Sequence, residues 1–294
     1  VWSVEEHRLL RKAVFDGPIR ALAFSPDGKT FVVGMGGTLS GTRHPKDGVF
    51  LVLDAQTLRV EHEGRDSRHW LRCAKVSPDG AKFALGSADQ KIYVYDAHST
   101  ELKAKCTKHS ARVTHLDFSA DSRYLQSDAA DTEHLFHDAD SGAHVRLPSQ
   151  LKDTPWASYT CIYGWPVQGC WASLSGGDRD PRVNVTSTSR SPDESLVVAG
   201  DDAGYVRVFR CPCPQKAQAL TVAHSHVGPV GAVAFTCDGR HLVSVGKQDR
   251  AICLWRVSSS AQVGSAAIVA VDSSKKRSSS EVVVKKTPTS SSSS

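Results

Sequence analysis

The side chains here that could do chemistry are 13 histidines, 8 cysteines and 31 aspartates and glutamates, so the first test is whether any stand at a spacing that chemistry requires. The run His62-Glu63-Gly64-Arg65-Asp66 begins like a zinc-protease helix. That motif needs a second histidine four residues after the first, and position 66 holds Asp66. Cys211 and Cys213 form a C-x-C within "CPCP", whereas structural zinc sites draw on two C-x-x-C-like arms. Neither a G-x-x-x-x-G-K-[ST] phosphate loop nor a G-x-S-x-G nucleophile elbow occurs. Asn184-Val185-Thr186 fits a glycosylation acceptor, a pattern short enough to be common by chance. The expectation is no catalytic residue, no metal and no cofactor, because histidines without a constellation do not make an enzyme.

If chemistry does not organise the polar residues, the elements that carry them must. Ser25-Pro26-Asp27-Gly28 returns at Ser77–Gly80, then in weaker form as "SADS" from Ser119, "SPDE" from Ser191 and "TCDG" from Thr236. Asp27, Asp79, Asp121, Asp193 and Asp238 mark the repeats at spacings of 52, 42, 72 and 45. Around each turn lies one grammar. A run such as "RALAF" or "GAVAF" precedes it, one such as "KFALGS" or "HLVSVG" follows, and a third such as "KIYVYD" or "AICLW" comes next. Short strands at regular spacing, divided by Gly/Asp/Pro turns, predict an all-β fold. The third runs are apolar on both faces, with Ile92 and Val94 on one side and Tyr93 and Tyr95 on the other. That fits a small sheet pressed between two neighbours, as in a β-propeller blade.

The period and grammar resemble WD40 repeats. The resemblance implies a WD40-type β-propeller over residues 1–257. Its expected blades are 18–64, 65–108, 109–172, 173–223 and 224–257, after part of a preceding blade at 1–17. Because the first residue is Val1 and the opening runs read as a blade's last strands, the expectation is a propeller truncated at its amino end. WD40 blades tie their loops by a buried histidine–aspartate pair. The matching residues are His109 with Asp131, and His226 with Asp249 and Trp255; the second blade keeps Asp89 but has Ser67 in the histidine's place.

Residues 153–171, "DTPWASYTCIYGWPVQGCW", break the period and hold three of the six tryptophans. Read from the residues, this is a long strand with a bulge that packs aromatics on the next blade; exposed, it would be an interaction patch. Trp156, Tyr159, Cys161, Gly164, Pro166, Gly169 and Trp171 within it resemble a signature of the echinoderm microtubule-associated protein-like family. "GDDAGYVRVF", "HSHVGPVGAVAF" and "GKQDRAICLWRV" follow in order. The resemblance is to the second, carboxy-terminal propeller of a tandem pair. It implies a non-catalytic function: binding tubulin or microtubules, or holding other proteins on them, in the cytoplasm and on the cytoskeleton.

Contact loops are expected ahead of the first strands, at Gly17, Arg68, His69, Ala111, Arg112 and Gly228. The tail, 258–294, is serine-rich and of low complexity, which predicts disorder. It carries Lys275, Lys276, Arg277, Lys285 and Lys286 and accounts for +3 of the formal +5 net charge, an electrostatic handle for an acidic surface. Its run "AAIVAV" is too short to span a bilayer, yet could add a strand to a blade edge. The body is left near neutral, which argues against a nucleic-acid binder. The cysteines fall in apolar runs and are expected to be reduced thiols. Two rivals remain. One is a general scaffold, such as a signalling or ubiquitin-ligase adaptor. The other is a propeller enzyme, which needs a titratable channel cluster that the mostly apolar inner runs are not expected to supply.

Overall fold

In all five repeats the turn hydroxyl and the aspartate two residues on form one device. Ser25 Oγ donates to Asp27 at 2.6 Å, accepts from Thr30 N at 3.1 Å, and Asp27 accepts from Lys29 N at 3.0 Å. Ser77, Ser119, Ser191 and Thr236 repeat the hydroxyl-to-aspartate bond at 2.5 Å. The fourth turn residue needs a left-handed backbone, supplied by Gly28, Gly80 and Gly239, while Ser122 and Glu194 adopt it without glycine's freedom. Each device closes a hairpin and so fixes the register of the first two strands of a blade.

The computed structural model describes residues 1–6, 8–37, 42–172, 183–216, 218–259 and 266–271. It divides into two compact units, Val1–Gly169 and Cys170–Ser294. In the first unit β1 (Trp2–Ser3) pairs with β2 (Arg8–Leu9). The first full blade is β3 (Ile19–Phe24), β4 (Thr30–Met35), β5 (Val49–Asp54) and β6 (Val60–Arg65). The second is β7 (Leu71–Val76), β8 (Lys82–Ser87), β9 (Ile92–Asp96) and β10 (Leu102–Cys106). The third is β11 (Val113–Phe118), β12 (Tyr124–Ala129) and β13 (His134–Asp138). Its outer edge is reduced to a bridge between His137 and His144.

The second unit holds two four-stranded blades. One is β14 (Val185–Arg190), β15 (Leu196–Asp201), β16 (Tyr205–Arg210) and β17 (Thr221–His224). The other is β18 (Val230–Phe235), β19 (His241–Gly246), β20 (Ile252–Ser259) and β21 (Ala266–Val271). All pairings are antiparallel between neighbours in sequence, the meander of a propeller blade.

Within each unit the first strands of successive blades pack side by side, β3 on β7 and β7 on β11, then β14 on β18. Burial on both faces holds for β9, where Ile92, Val94, Tyr93 and Tyr95 are all at most 2% exposed. Tyr95 stacks on Phe83 at 4.8 Å and meets Phe50 of the first blade at 4.6 Å, so aromatic packing glues one blade to the next. Every first strand also carries a register shift after its first residue, placing Arg20, Arg72, Thr114, Thr186 and Gly231 at a bulge.

Two expectations need correction. The segment after Asp153 is no long strand: apart from a bridge between Trp156 and Ser119, it runs irregularly into a 3-10 turn at Trp165–Val167 and a short helix at Gln168–Ala172. Gly164, Pro166 and Gly169 sit in and around these turns, which a strand would not accommodate. The last blade also does not stop at 257. β20 runs to Ser259, and Ala266–Val271, inside the expected disordered tail, pairs with it as the fourth strand. The five tail cations lie outside the described residues.

Candidate functional site

The histidine ties are saturated structural networks. In the last blade His226 Nδ1 meets Asp249 at 3.1 Å, its Nε2 meets Ser244 Oγ at 2.8 Å, and Trp255 Nε1 donates to the same serine at 3.0 Å. In the third blade His109 Nε2 meets Ser127 Oγ at 2.7 Å, but its Nδ1 pairs with Glu133 at 3.0 Å, not Asp131. Asp131 instead accepts from Ser110 Oγ at 2.7 Å. The reason is a hairpin one residue shorter: Ala129 N bonds Glu133 O, four residues on, where Gly246 N bonds Ala251 O, five on. In the second blade Ser67 Oγ bonds Ser87 Oγ at 2.8 Å and Asp89 at 3.0 Å, and Tyr93 OH donates to Asp89 at 2.6 Å, so the missing histidine is replaced. The fourth blade buries an Asp201–Arg207 ion pair.

The signature segment is a strap laid along β11. Buried Asp117 accepts from Ser158 N at 3.1 Å, Ser158 Oγ at 2.7 Å, Tyr159 N at 2.8 Å and Gln126 Nε2 at 3.3 Å. Thr160 Oγ1 donates to Leu116 O at 2.7 Å and Cys161 Sγ to Gln126 O at 3.5 Å. Trp156 is buried with its ring centre 5.6 Å from that of Phe136, whereas Trp165 is 59% exposed and Trp171 half-buried. Burial pushes the Asp117 carboxyl above its ordinary value, opposed by Lys75 and the strap's hydrogen bonds. Lys75 Nζ donates to Ser158 Oγ at 2.9 Å, and a cavity of about 320 Å³ opens beside this pair, next to Leu22 and Phe24.

Thus the inner strands are more polar than their sequence runs implied. Asp128 is fully buried, bonds His134 Nδ1 at 2.6 Å and accepts from Tyr163 N at 3.4 Å, with His115 Nδ1 3.7 Å away. Cys161 joins Asp128 and His134, with ligand-type atoms within 4.8 Å of one another, but its thiol is held well above its ordinary pKa by burial and then by Asp128. All eight cysteines are unpaired.

Of the expected contact loops, Arg68, His69 and Arg112 are exposed and Ala111 is half-buried. Gly17 is packed, since a Cβ there would lie 3.0 Å from His44 and Lys46. Gly228 serves its turn with φ +81°. The structure adds three residues to this rim that the sequence reading passed over: Arg20, Trp70 and Arg72. Arg20 and Arg72 lie over the Trp70 ring, 5.4 and 5.0 Å from its centre. Aligning "PIRALAF" with "WLRCAKV" gives the signal, because both arginines follow the first residue of a first strand.

Turns, ties and four-stranded meanders together define a WD40-type β-propeller. A family model described as the echinoderm microtubule-associated protein second beta-propeller matches residues 1–257, and the chain belongs to this family. It is 32% identical to echinoderm microtubule-associated protein-like 3 of Mus musculus over 271 residues, 90% of this chain and 28% of the relative. It is 31% identical to the 77 kDa echinoderm microtubule-associated protein of Strongylocentrotus purpuratus, covering 87% of this chain and 36% of that one. The chain therefore spans about a third or less of the curated relatives it matches. Among solved structures, a chain of a mitotic checkpoint complex crystal structure aligns with TM-score 0.66 and 17% identity over 88% of this chain and 81% of that one. A Cps50 (Swd1) β-propeller domain from Myceliophteria thermophila aligns with TM-score 0.53 and 14% identity over 86% and 70%. These two likenesses concern the fold alone.

Proposed function

We propose that this propeller is a non-catalytic binding module that engages tubulin or microtubules in the cytoplasm and so takes part in organising the cytoskeleton. The observation that carries the reading is the family match, which spans residues 1–257 and bears the microtubule-associated name. The geometry supports it. The histidine and aspartate pairs that could be mistaken for catalysts are committed to loop ties, and the Asp117 carboxylate of β11 is committed to hydrogen bonds from the strap. Among the described residues, the loops ahead of the first strands offer a partner the exposed Arg68, His69 and Arg112 on rigid blades.

Co-sedimentation of the 294-residue chain with polymerised tubulin tests this, beside a variant with Lys275, Lys276, Arg277, Lys285 and Lys286 replaced by serine, across a salt series. Pelleting that persists in the variant at moderate salt places the contact on the propeller. Loss in the variant, or at modest salt, assigns it to a screened tail contact. No pelleting by a folded chain overturns the microtubule reading and favours a general scaffold.

A further inference from the structure

The bulge at the second residue of each first strand turns an unpaired side chain out of the ladder. Where that residue is threonine, the hydroxyl is used at home: Thr114 Oγ1 donates to Asp128 O at 3.2 Å and Thr186 Oγ1 to Val230 O at 2.7 Å. In the first two blades the same position carries Arg20 and Arg72. Their guanidinium groups share Trp70, whose ring packs so tightly on the chain at Gly37 that a Cβ there would lie 2.2 Å from it. Arg20 Nε makes one long bond, 3.4 Å to Gly36 O, and Arg72 Nε is buried with no hydrogen-bond partner. Arg112, one residue before β11, brings a third charge. Burial, then Arg112 and more weakly Arg20, lower the Arg72 pKa.

Among the described residues no carboxylate is ion-paired with any of the three. Two buried acids of these blades, Asp47 and Asp128, are already committed. Asp47 accepts from Gly37 N at 2.6 Å and His44 N at 3.0 Å, and Asp128 is held by His134 and Tyr163. Gathering like charges on one indole, one of them partly desolvated, destabilises the free chain unless an anion arrives. Guanidinium groups match carboxylates in a planar fork, and the indole face supports the cations from behind.

We propose that Arg20 and Arg72, on the Trp70 ring, and Arg112 of the next blade together form a binding site for a carboxylate-rich peptide segment of a protein partner. A peptide fits better than a small ion because the cations come from three successive blades and Arg20 and Arg112 are exposed. An extended chain presents carboxylates at a repeat of about 3.3 Å per residue, enough to meet them in turn. The inference rests on the reading of this propeller as a protein-binding module.

The test is fluorescence anisotropy of a labelled oligoglutamate peptide with the full chain, against an oligoglutamine peptide and inorganic phosphate as competitor. The expected result is glutamate-selective binding that weakens with salt. Arg20→Gln and Arg112→Gln, both at exposed positions, should each weaken it roughly tenfold, as should Arg72→Gln. Arg123→Gln, which removes an exposed arginine stacked on Tyr124, should leave it unchanged. Absence of binding by the folded chain, wild-type affinity in the exposed double variant R20Q/R112Q, or displacement by phosphate at equal charge would each overturn the proposal. Microtubule pelleting of the same proteins separates the two readings. A chain that pellets but ignores oligoglutamate refutes this site and keeps the module's function, whereas one that binds oligoglutamate without pelleting does the reverse.

Discussion

In the last blade His226 bridges Asp249 and Ser244, and Trp255 donates to the same serine. In the third, His109 bridges Glu133 and Ser127, and the tryptophan's place is taken by His137. The equivalence is one of register: Trp255 faces Leu242, two residues before Ser244, and His137 faces Leu125, two before Ser127. Trp255 brings one N–H and uses it. His137 brings two ring nitrogens, is fully buried, and neither has a hydrogen-bond partner. The same fold position therefore stabilises one blade and burdens the other. The difference teaches that these polar residues are held by their place in the blade and that partner chemistry must be sought elsewhere.

Breaking the complete network should have the largest effect. His226→Ala removes two bonds from a buried set and leaves Ser244 with the indole alone, so unfolding by urea should show a loss of about 2–3 kcal/mol. A loss below about 0.5 kcal/mol would mean that the tie contributes little and that the last blade is held by its apolar packing.

The third blade should answer in the opposite sense. Burial first, then the charges of His109 and His144, push the His137 pKa down to about 3. The unfolded chain takes up that proton near pH 6.5, the folded chain only near 3, so stability is full above about 6.5 and drains away between those limits. His137→Phe should raise stability by about 1–2 kcal/mol at pH 7, because two unsatisfied buried nitrogens disappear. It should also flatten the acid side of the curve. Some slope will persist, because burial lowers the His109 pKa as well. A variant that is less stable and equally pH-sensitive would show that His137 has partners of its own. At still lower pH both proteins should fall together, as the aspartates of the turns protonate. Asp121 and Asp193 are held below the ordinary carboxylate value chiefly by the hydroxyls of Ser119 and Ser191, so their contribution is present above about pH 4 and lost below it.

How much of this was legible depended on how far apart the partners lie in sequence. The five turns were readable because hydroxyl and carboxylate stand two residues apart and recur. The His226 network was readable because its spacing matches the WD40 pattern. Glu133 was not, since a hairpin shortened by one residue moves Asp131 away without changing any residue type. The strap's role was hidden for another reason: Ser158 and Tyr159 serve an aspartate 41 and 42 residues earlier, and nothing local announces it. The arginine rim was hidden most deeply, because a bulge is a backbone feature that accepts arginine, threonine or glycine alike.

The rim gives a smaller and more discriminating contrast. Replacing Arg72 by methionine keeps the stem over Trp70 and removes a half-buried charge whose buried Nε has no hydrogen-bond partner, so the free chain should gain about 0.5–1 kcal/mol in thermal or urea unfolding. Thr186→Val at the corresponding bulge of the fourth blade should lose about 1 kcal/mol, since its hydroxyl bonds Val230 O at 2.7 Å. Opposite signs at equivalent positions would separate a residue retained for a ligand from one retained for the fold. Equal losses would make Arg72 an ordinary structural residue.

The smallest effect tests the corrected tie itself. A double-mutant cycle between His109 and Glu133 should give a coupling of about 1 kcal/mol, and the same cycle between His109 and Asp131 a coupling near zero. Asp131 keeps its bond to Ser110 whichever residue stands at 109, so its removal adds independently. Coupling to Asp131 instead would mean that in solution the shortened hairpin opens enough to restore the pairing of the last blade. The tie of the third blade would then differ from that of the last only in the residue at His137.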